Sequence, residues 1–208
     1  MPTLLSFRPW LVQMGLFAVL SSWQVTTAPA AMVHVDLSEA MLNIPPDIEG
    51  LYINVVTGVA SPFADSAPGW DLNPYNMGTG LAFFTPSVPA GQGMLASGTT
   101  ALSLLGGEVI GPVGIYHPGQ AAGSNFQVTA VSYAGFRFWN EATGSLNYGW
   151  AEFTTTGGAG AGFPARLRSY AYEDAGQSLW AGQIPEPSVP SFLMLLMLAV
   201  AGKARSRS

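Results

Sequence analysis

The chain has 208 residues, of which 9% are charged and 12% aromatic, with 25 glycines, 16 prolines and no cysteine. The lack of cysteine excludes disulfides, thiolate metal sites and thiol nucleophiles. Few charges with many turn formers and aromatics favour an all-β domain over a helical one, and an apolar content of 49% excludes a wholly disordered chain.

Residues 1–31 read as a secretory signal peptide. Arg8 supplies the positive start, and Trp10 to Leu20 form an apolar stretch broken only by Gln13 and Gly15. Ala28-Pro29-Ala30 fits the small-residue pattern that signal peptidase cuts, which places cleavage after Ala30 or Ala31. A transmembrane anchor is the other reading, but the run is short of the roughly 20 apolar residues that cross a bilayer.

Residues 32–183 then form one passenger domain, long enough to bury a core. Its basic residues are Arg137, Arg166 and Arg168 against eleven acids, a net charge of −8. Such a domain repels phosphate backbones, so nucleic acid is not an expected partner. Short β-like runs lie between turn clusters: Leu51 to Val56, Gly80 to Phe84, Ala101 to Leu105, Val109-Ile110 and Gln127 to Ser132.

The last third is the most regular. Ala134, Phe136 and Phe138 alternate with Gly135, Arg137 and Trp139, residues 140–147 turn, and Tyr148 to Thr154 return. After the Gly157 to Gly162 loop, Arg166, Arg168, Tyr170 and Tyr172 are expected on one face of a third strand, with Leu167, Ser169 and Ala171 on the other. These features predict an antiparallel three-stranded meander within a β-sandwich or jelly-roll-like domain. A β-helix is disfavoured because no repeat of fixed period is found.

The C-terminal residues 184–208 carry three features in order. Ile184-Pro185-Glu186-Pro187 comes first, an uncharged Leu- and Met-rich run from Val189 to Gly202 follows, and Lys203, Arg205 and Arg207 form a basic tip. The prolines keep the linker extended. The apolar run makes a short transmembrane helix, and the positive-inside rule keeps the basic tip cytoplasmic. Together with the signal peptide, this arrangement resembles the PEP-CTERM sorting domain of Gram-negative bacteria.

The resemblance implies that Pro185, Glu186 and Pro187 are the motif recognised by an exosortase. It also implies export through the inner membrane with transient anchoring there, a final place at the cell surface or outside it, and an association with exopolysaccharide and biofilm. The stretch from Gly135 to Gly182, with Tyr148-Gly149-Trp150, Ala171-Tyr172-Glu173 and Gly176-Gln177-Ser178, is similar to the region ahead of the tail in many such proteins. That similarity implies a shared β-sandwich passenger and no known chemistry.

Candidate chemistry in the passenger is sparse. His34 and His117 are its only histidines, the first close to the predicted mature N-terminus and the second expected in a turn; no G-x-S-x-G elbow accompanies them. Asp71 and Asn73 alternate oxygen ligands in a loop, a thin calcium site to which Asp65 can add, with turn capping as the alternative. The neighbouring acids Glu173-Asp174 and Asp47/Glu49 read as a solvated surface rather than a glycosidase pair. Trp70, Tyr75, Trp139, Tyr148, Trp150, Tyr170 and Tyr172 are either core or a sugar-stacking platform. The expectation is thus a sorted, non-enzymatic surface protein with no cofactor, with a carbohydrate- or calcium-binding module as the alternative.

Overall fold

The computed structural model describes residues 31–185 except 129 and 158–161. The signal segment through Ala28 and Ala30, and the tail from Glu186 and Pro187 to Lys203, Arg205 and Arg207, lie outside the described residues. Ala31 and Pro185 fall inside them, and both are exposed.

In chain order, β1 (Met32–Asp36) and β2 (Leu42–Ile44) precede the two-residue strands β3 (Tyr52–Ile53) and β4 (Ala60–Ser61). Next come β5 (Asn73–Asn76), β6 (Leu81–Thr85) and β7 (Gly93–Ser97). The short β8 (Thr100–Ala101), β9 (Ser103–Leu104), β10 (Val109–Ile110), β11 (Tyr116–His117) and β12 (Gly119–Ala122) follow. The long β13 (Ala130–Asn140), β14 (Ser145–Thr155) and β15 (Ala165–Glu173) lead to β16 (Leu179–Trp180). Two short 3-10 turns, Ala64–Ser66 and Ser124–Phe126, complete the described residues, among which there is no α-helix and no helix long and apolar enough to cross a membrane.

The described residues therefore form an all-β domain. Twelve strands make one sheet in the order β1-β15-β14-β13-β7-β8-β12-β6-β5, with β2 joining β15, β9 joining β13 and β11 joining β7. The ladders are antiparallel apart from a single parallel pairing of β12 with β8. The sheet curls on itself: Phe83 of β6 lies 5.4 Å, ring to ring, from Phe153 of β14, although four strands separate β6 from β14 in the order. Phe83 and Phe153 both pack on Phe126, at 5.1 and 6.4 Å. These rings centre a core that also takes Leu81, Met94, Phe136, Phe138 and Leu167.

The predicted meander is present as β13-β14-β15. Its first turn is shorter than expected, because Asn140 pairs with Ser145 and leaves four loop residues. The Asn140 side chain closes this loop by accepting the Ala142 N–H at 3.0 Å, while its carbonyl accepts the Gly144 N–H at 2.8 Å. The register that follows sets Phe136 opposite Gly149. A Cβ at Gly149 would sit 2.6 Å from the Phe136 ring and 2.8 Å from the Ala171 carbonyl, so the ring occupies the space that the glycine leaves.

Both faces of the meander are covered. Ala134, Phe136 and Phe138 enter the main core. The opposite face, carrying Tyr148, Trp150 and Ala171, packs under Leu95, Leu104, Ile110 and Leu179, residues delivered by β7, β9 and the small β10-β16 sheet.

The expected facing of β15 is corrected by a bulge. Glu152 pairs with Ser169 and Phe153 with Leu167, so Arg168 is an extra residue. Leu167, Tyr170 and Tyr172 consequently share the core, whereas Arg168 and Ser169 both reach Glu152. Two further expectations change. Of the run Leu51 to Val56 only β3 is strand, since Asn54 and its neighbours turn. His117 lies in β11, paired with Met94, not in a turn.

Candidate functional site

An aromatic pocket of about 280 Å3 opens at the β5 side of the sheet, lined by Ile48, Tyr52, Trp70, Asn73, Tyr75, Phe84 and Gln120. Its floor follows from strand register. Asn73 of β5 pairs with Phe84 of β6, and Phe84 pairs with Gln120 of β12. Residues directly opposite in a ladder project to the same face, so an amide, a ring and a second amide stand in a row. Phe84 is 41% exposed while its neighbour Phe83 is fully buried, as the two-residue period requires.

Two segments raise the walls. The first is the 47–52 turn, where the Asp47 carboxylate accepts the Gly50 N–H at 2.8 Å. Gly50 has φ +62°, and a Cβ there would lie 2.2 Å from the Pro74 carbonyl; only glycine permits this approach to β5. The contact brings the Glu49 carbonyl to the Asn73 Nδ2, which donates to it at 2.8 Å, and the Leu51 N–H to the Pro74 carbonyl at 3.0 Å.

The second wall is the segment entering β5. Buried Asn54 donates to the carbonyls of Pro68 and Gly69, both at 2.9 Å, and its oxygen accepts the N–H groups of Val56 and Thr57. These four bonds fix the chain next to Trp70. The Trp70 ring then stands 5.1 Å from Tyr52, edge to face, and 6.0 Å from Phe84. Burial raises the pKa of Tyr52, and the nearby Glu49 adds to the rise. Burial also raises that of Tyr75. Both phenols are therefore neutral hydroxyls at physiological pH.

The Asn73 amide is only half used. The residue is 3% exposed, its nitrogen is bonded to Glu49, and its Oδ1 has no hydrogen-bond partner. The calcium candidates separate in role. Asp71 is 1% exposed and its Oδ2 accepts the Val55 N–H at 2.9 Å, while Asn73 serves the pocket. Among the described residues no group of three or more His, Asp or Glu side chains is arranged to hold a metal.

A second, polar groove of about 290 Å3 lies on the outer face of the meander. The β15 bulge creates it by placing Arg168 and Ser169 together. Glu152 accepts from Arg168 at 3.2 Å and from the Ser169 hydroxyl at 2.7 Å. His34 and Asp36 of β1 line the same groove with Tyr133 and Trp150. The His34 ring lies 5.7 Å from that of Trp150, whose Nε1 donates to the Gln183 carbonyl at 3.1 Å. Asp36 has a lowered pKa because Ser38 bonds to its carboxylate, the backbone N–H at 2.8 Å.

The acids expected at the surface are instead partly structural. Glu173 is 4% exposed and accepts the backbone N–H groups of Ala175 and Gln177. Asp174 accepts the Ala31 N–H at 2.8 Å. Of the suggested aromatic platform, Trp70 and Tyr75 line the pocket, whereas Tyr148, Trp150, Tyr170 and Tyr172 are core residues. The pocket partners Tyr52, Phe84 and Gln120 were not singled out in the sequence, and their spacing gives no signal that they meet.

No protein-family model matches the chain, and neither curated proteins nor solved structures match it.

Proposed function

We propose that this chain is an exported cell-surface or extracellular-matrix protein, sorted through its Pro-Glu-Pro tail by an exosortase after signal peptidase cleavage. Its β domain, in this reading a two-layer sandwich closed at the β7/β8 corner, acts outside the cell without catalysing a reaction. Exopolysaccharide in a Gram-negative biofilm is the proposed surrounding.

The observation that carries the reading is the fit between the folded unit and the sites of processing. β1 starts at Met32, so a cut after Ala30 or Ala31 leaves it whole. At the other end Gln183 is tied by its carbonyl to Trp150, by its side chain to the Trp180 N–H and by its own N–H to the Trp180 carbonyl. Ile184 and Pro185 beyond them are exposed, as a motif presented to a processing enzyme requires. A non-catalytic role is supported by how these carboxyl groups are engaged: buried Asp71 and Glu173 hold backbone N–H groups, and half-buried Glu152 holds Arg168 and Ser169.

Intact-mass analysis of the protein from its native host tests the proposal. The expected mature species has lost residues 1–30 or 1–31 and also the basic tip. A mature species that retains Lys203 to Ser208 counts against exosortase processing. A second reading, a carbohydrate-binding module delivered by the same tail, is favoured over its calcium-binding counterpart by the ring-lined pocket at Trp70.

A further inference from the structure

We infer that the pocket bounded by Tyr52, Trp70, Phe84 and Asn73 binds one ring of a neutral, hydroxyl-rich polysaccharide. The inference rests on the binding-module reading and not on the sorting of the tail.

Three features of the pocket meet in this ligand class. The first is its lining. Tyr52, Trp70 and Phe84 present rings from separate segments around one opening, with ring separations of 5.1 and 6.0 Å. Phe84 and Ile48 are 41% and 74% exposed, so apolar surface faces water here. The C–H face of a pyranose is apolar while its rim is polar, and it covers such rings without burying its hydroxyls.

The second is the unpartnered acceptor. Asn73 is buried and its Oδ1 bonds to nothing, an arrangement that is costly for a buried polar atom. Its amide orientation is fixed by the bond from Nδ2 to the Glu49 carbonyl, which leaves the oxygen closed off from solvent and without a donor. A sugar hydroxyl is a donor that satisfies this oxygen once the pocket lining gives way to admit it, and the exposed Gln120 amide in the same cross-strand row offers a polar contact without any shift.

The third is charge. The lining contains no Lys or Arg, and the Glu49 carboxylate lies 3.3 Å from the Tyr52 hydroxyl at the rim. An anionic sugar such as a uronate meets no counter-ion and a repelling carboxylate. Size agrees with a single ring: about 280 Å3 is just below the range of about 300–1,000 Å3 typical of drug-sized ligands.

The test uses the full chain purified in detergent, titrated with hexasaccharides of β-1,4-glucan, β-1,3-glucan, α-1,6-glucan and mannan, and with an oligogalacturonate as the anionic control. Calorimetry and tryptophan fluorescence read the binding. At least one neutral hexasaccharide is expected to bind, with Trp70→Ala weakening it about tenfold or more and the oligogalacturonate not competing. Phe84→Ala, at an exposed position, is the companion variant should Trp70→Ala fail to fold, and it is expected to weaken binding in the same direction. The inference is overturned by flat titrations with all four neutral sugars, by binding that both variants leave unchanged, or by preference for the oligogalacturonate. Loss of the tail in the mass measurement with flat titrations here would leave the sorting proposal standing and remove this one.

Discussion

At the scale of single residues, Asp71 is the group most displaced from its ordinary chemistry. It is buried in the core, and desolvation pushes its pKa up to about 8; Glu141 adds to the rise and the Val55 N–H opposes it. The unfolded chain holds this carboxyl near its ordinary value of 3.8. Between these values the folded state binds the extra proton, so the contribution of Asp71 to stability is greatest below the unfolded pKa and is lost as pH rises through about 8. We expect stability to decline across that window on this account. Asp71→Asn keeps an oxygen for the Val55 N–H and removes the ionisation. It should flatten that part of the profile and be more stable than the parent at pH 8 by about 1–3 kcal/mol. Urea melts of both proteins from pH 4 to pH 8 check this, and an unchanged slope in the variant would refute it. Tyr170 is a neighbouring case: burial raises its pKa to about 12, and its hydroxyl is buried without a hydrogen-bond partner.

Among the elements, β15 shows what a single inserted residue does. The bulge at Arg168 turns Leu167 and Tyr170 toward the same core, although a strict two-residue period sends them to opposite faces. The side chain of Arg168 and its position in the chain therefore have separate worth. The Arg168–Glu152 ion pair leaves the arginine side chain 34% exposed, so Arg168→Ala should cost less than about 1 kcal/mol. Deleting Arg168 alone leaves Leu167 and Tyr170 two residues apart and so on one face, but deleting Ser169 with it makes them adjacent and forces either Leu167 or the Tyr170/Tyr172 pair out of the core. That should cost more than about 2 kcal/mol, on the scale of truncating a buried leucine. Thermal melts of Arg168→Ala and the double deletion side by side decide the matter: equal shifts would mean that the spacing of Leu167 and Tyr170 does not set the facing of β15.

The whole molecule is held as one unit by the curl of the sheet. β7 pairs with both β13 and β8, and β8 leads through β12 to β6 and β5. Phe83, Phe126 and Phe153 then pack the two halves against each other. Neither half buries its inner face alone, so the domain should unfold in a single cooperative transition. Far-UV circular dichroism and tryptophan fluorescence are expected to give coincident melting curves. The fluorescence samples both halves, because Trp70 lies in the pocket and Trp139 and Trp150 lie in the meander. Separate transitions would show that the halves fold independently.

The all-β class and the meander were legible in the sequence for local reasons. Glycine, proline and aromatic content favour strands and turns, and the alternation of Ala134, Phe136 and Phe138 with Gly135, Arg137 and Trp139 is a pattern of adjacent residues. The signal-like and tail-like ends are local patterns of the same kind. The bulge, the second cover over the meander and the pocket were not legible. The sequence singled out Trp70, Tyr75 and Asn73 one by one, but joining them to Tyr52, Phe84 and Gln120 depends on ladder registers between distant segments. Gly50 and Asn54 then set the walls by packing against those ladders. By itself, the sequence determined composition, charge, strand tendency and the absence of thiol chemistry. Which side chains share a face or a pocket was decided only by the tertiary structure, because a one-residue change of register moves a strand's side chains between core and solvent.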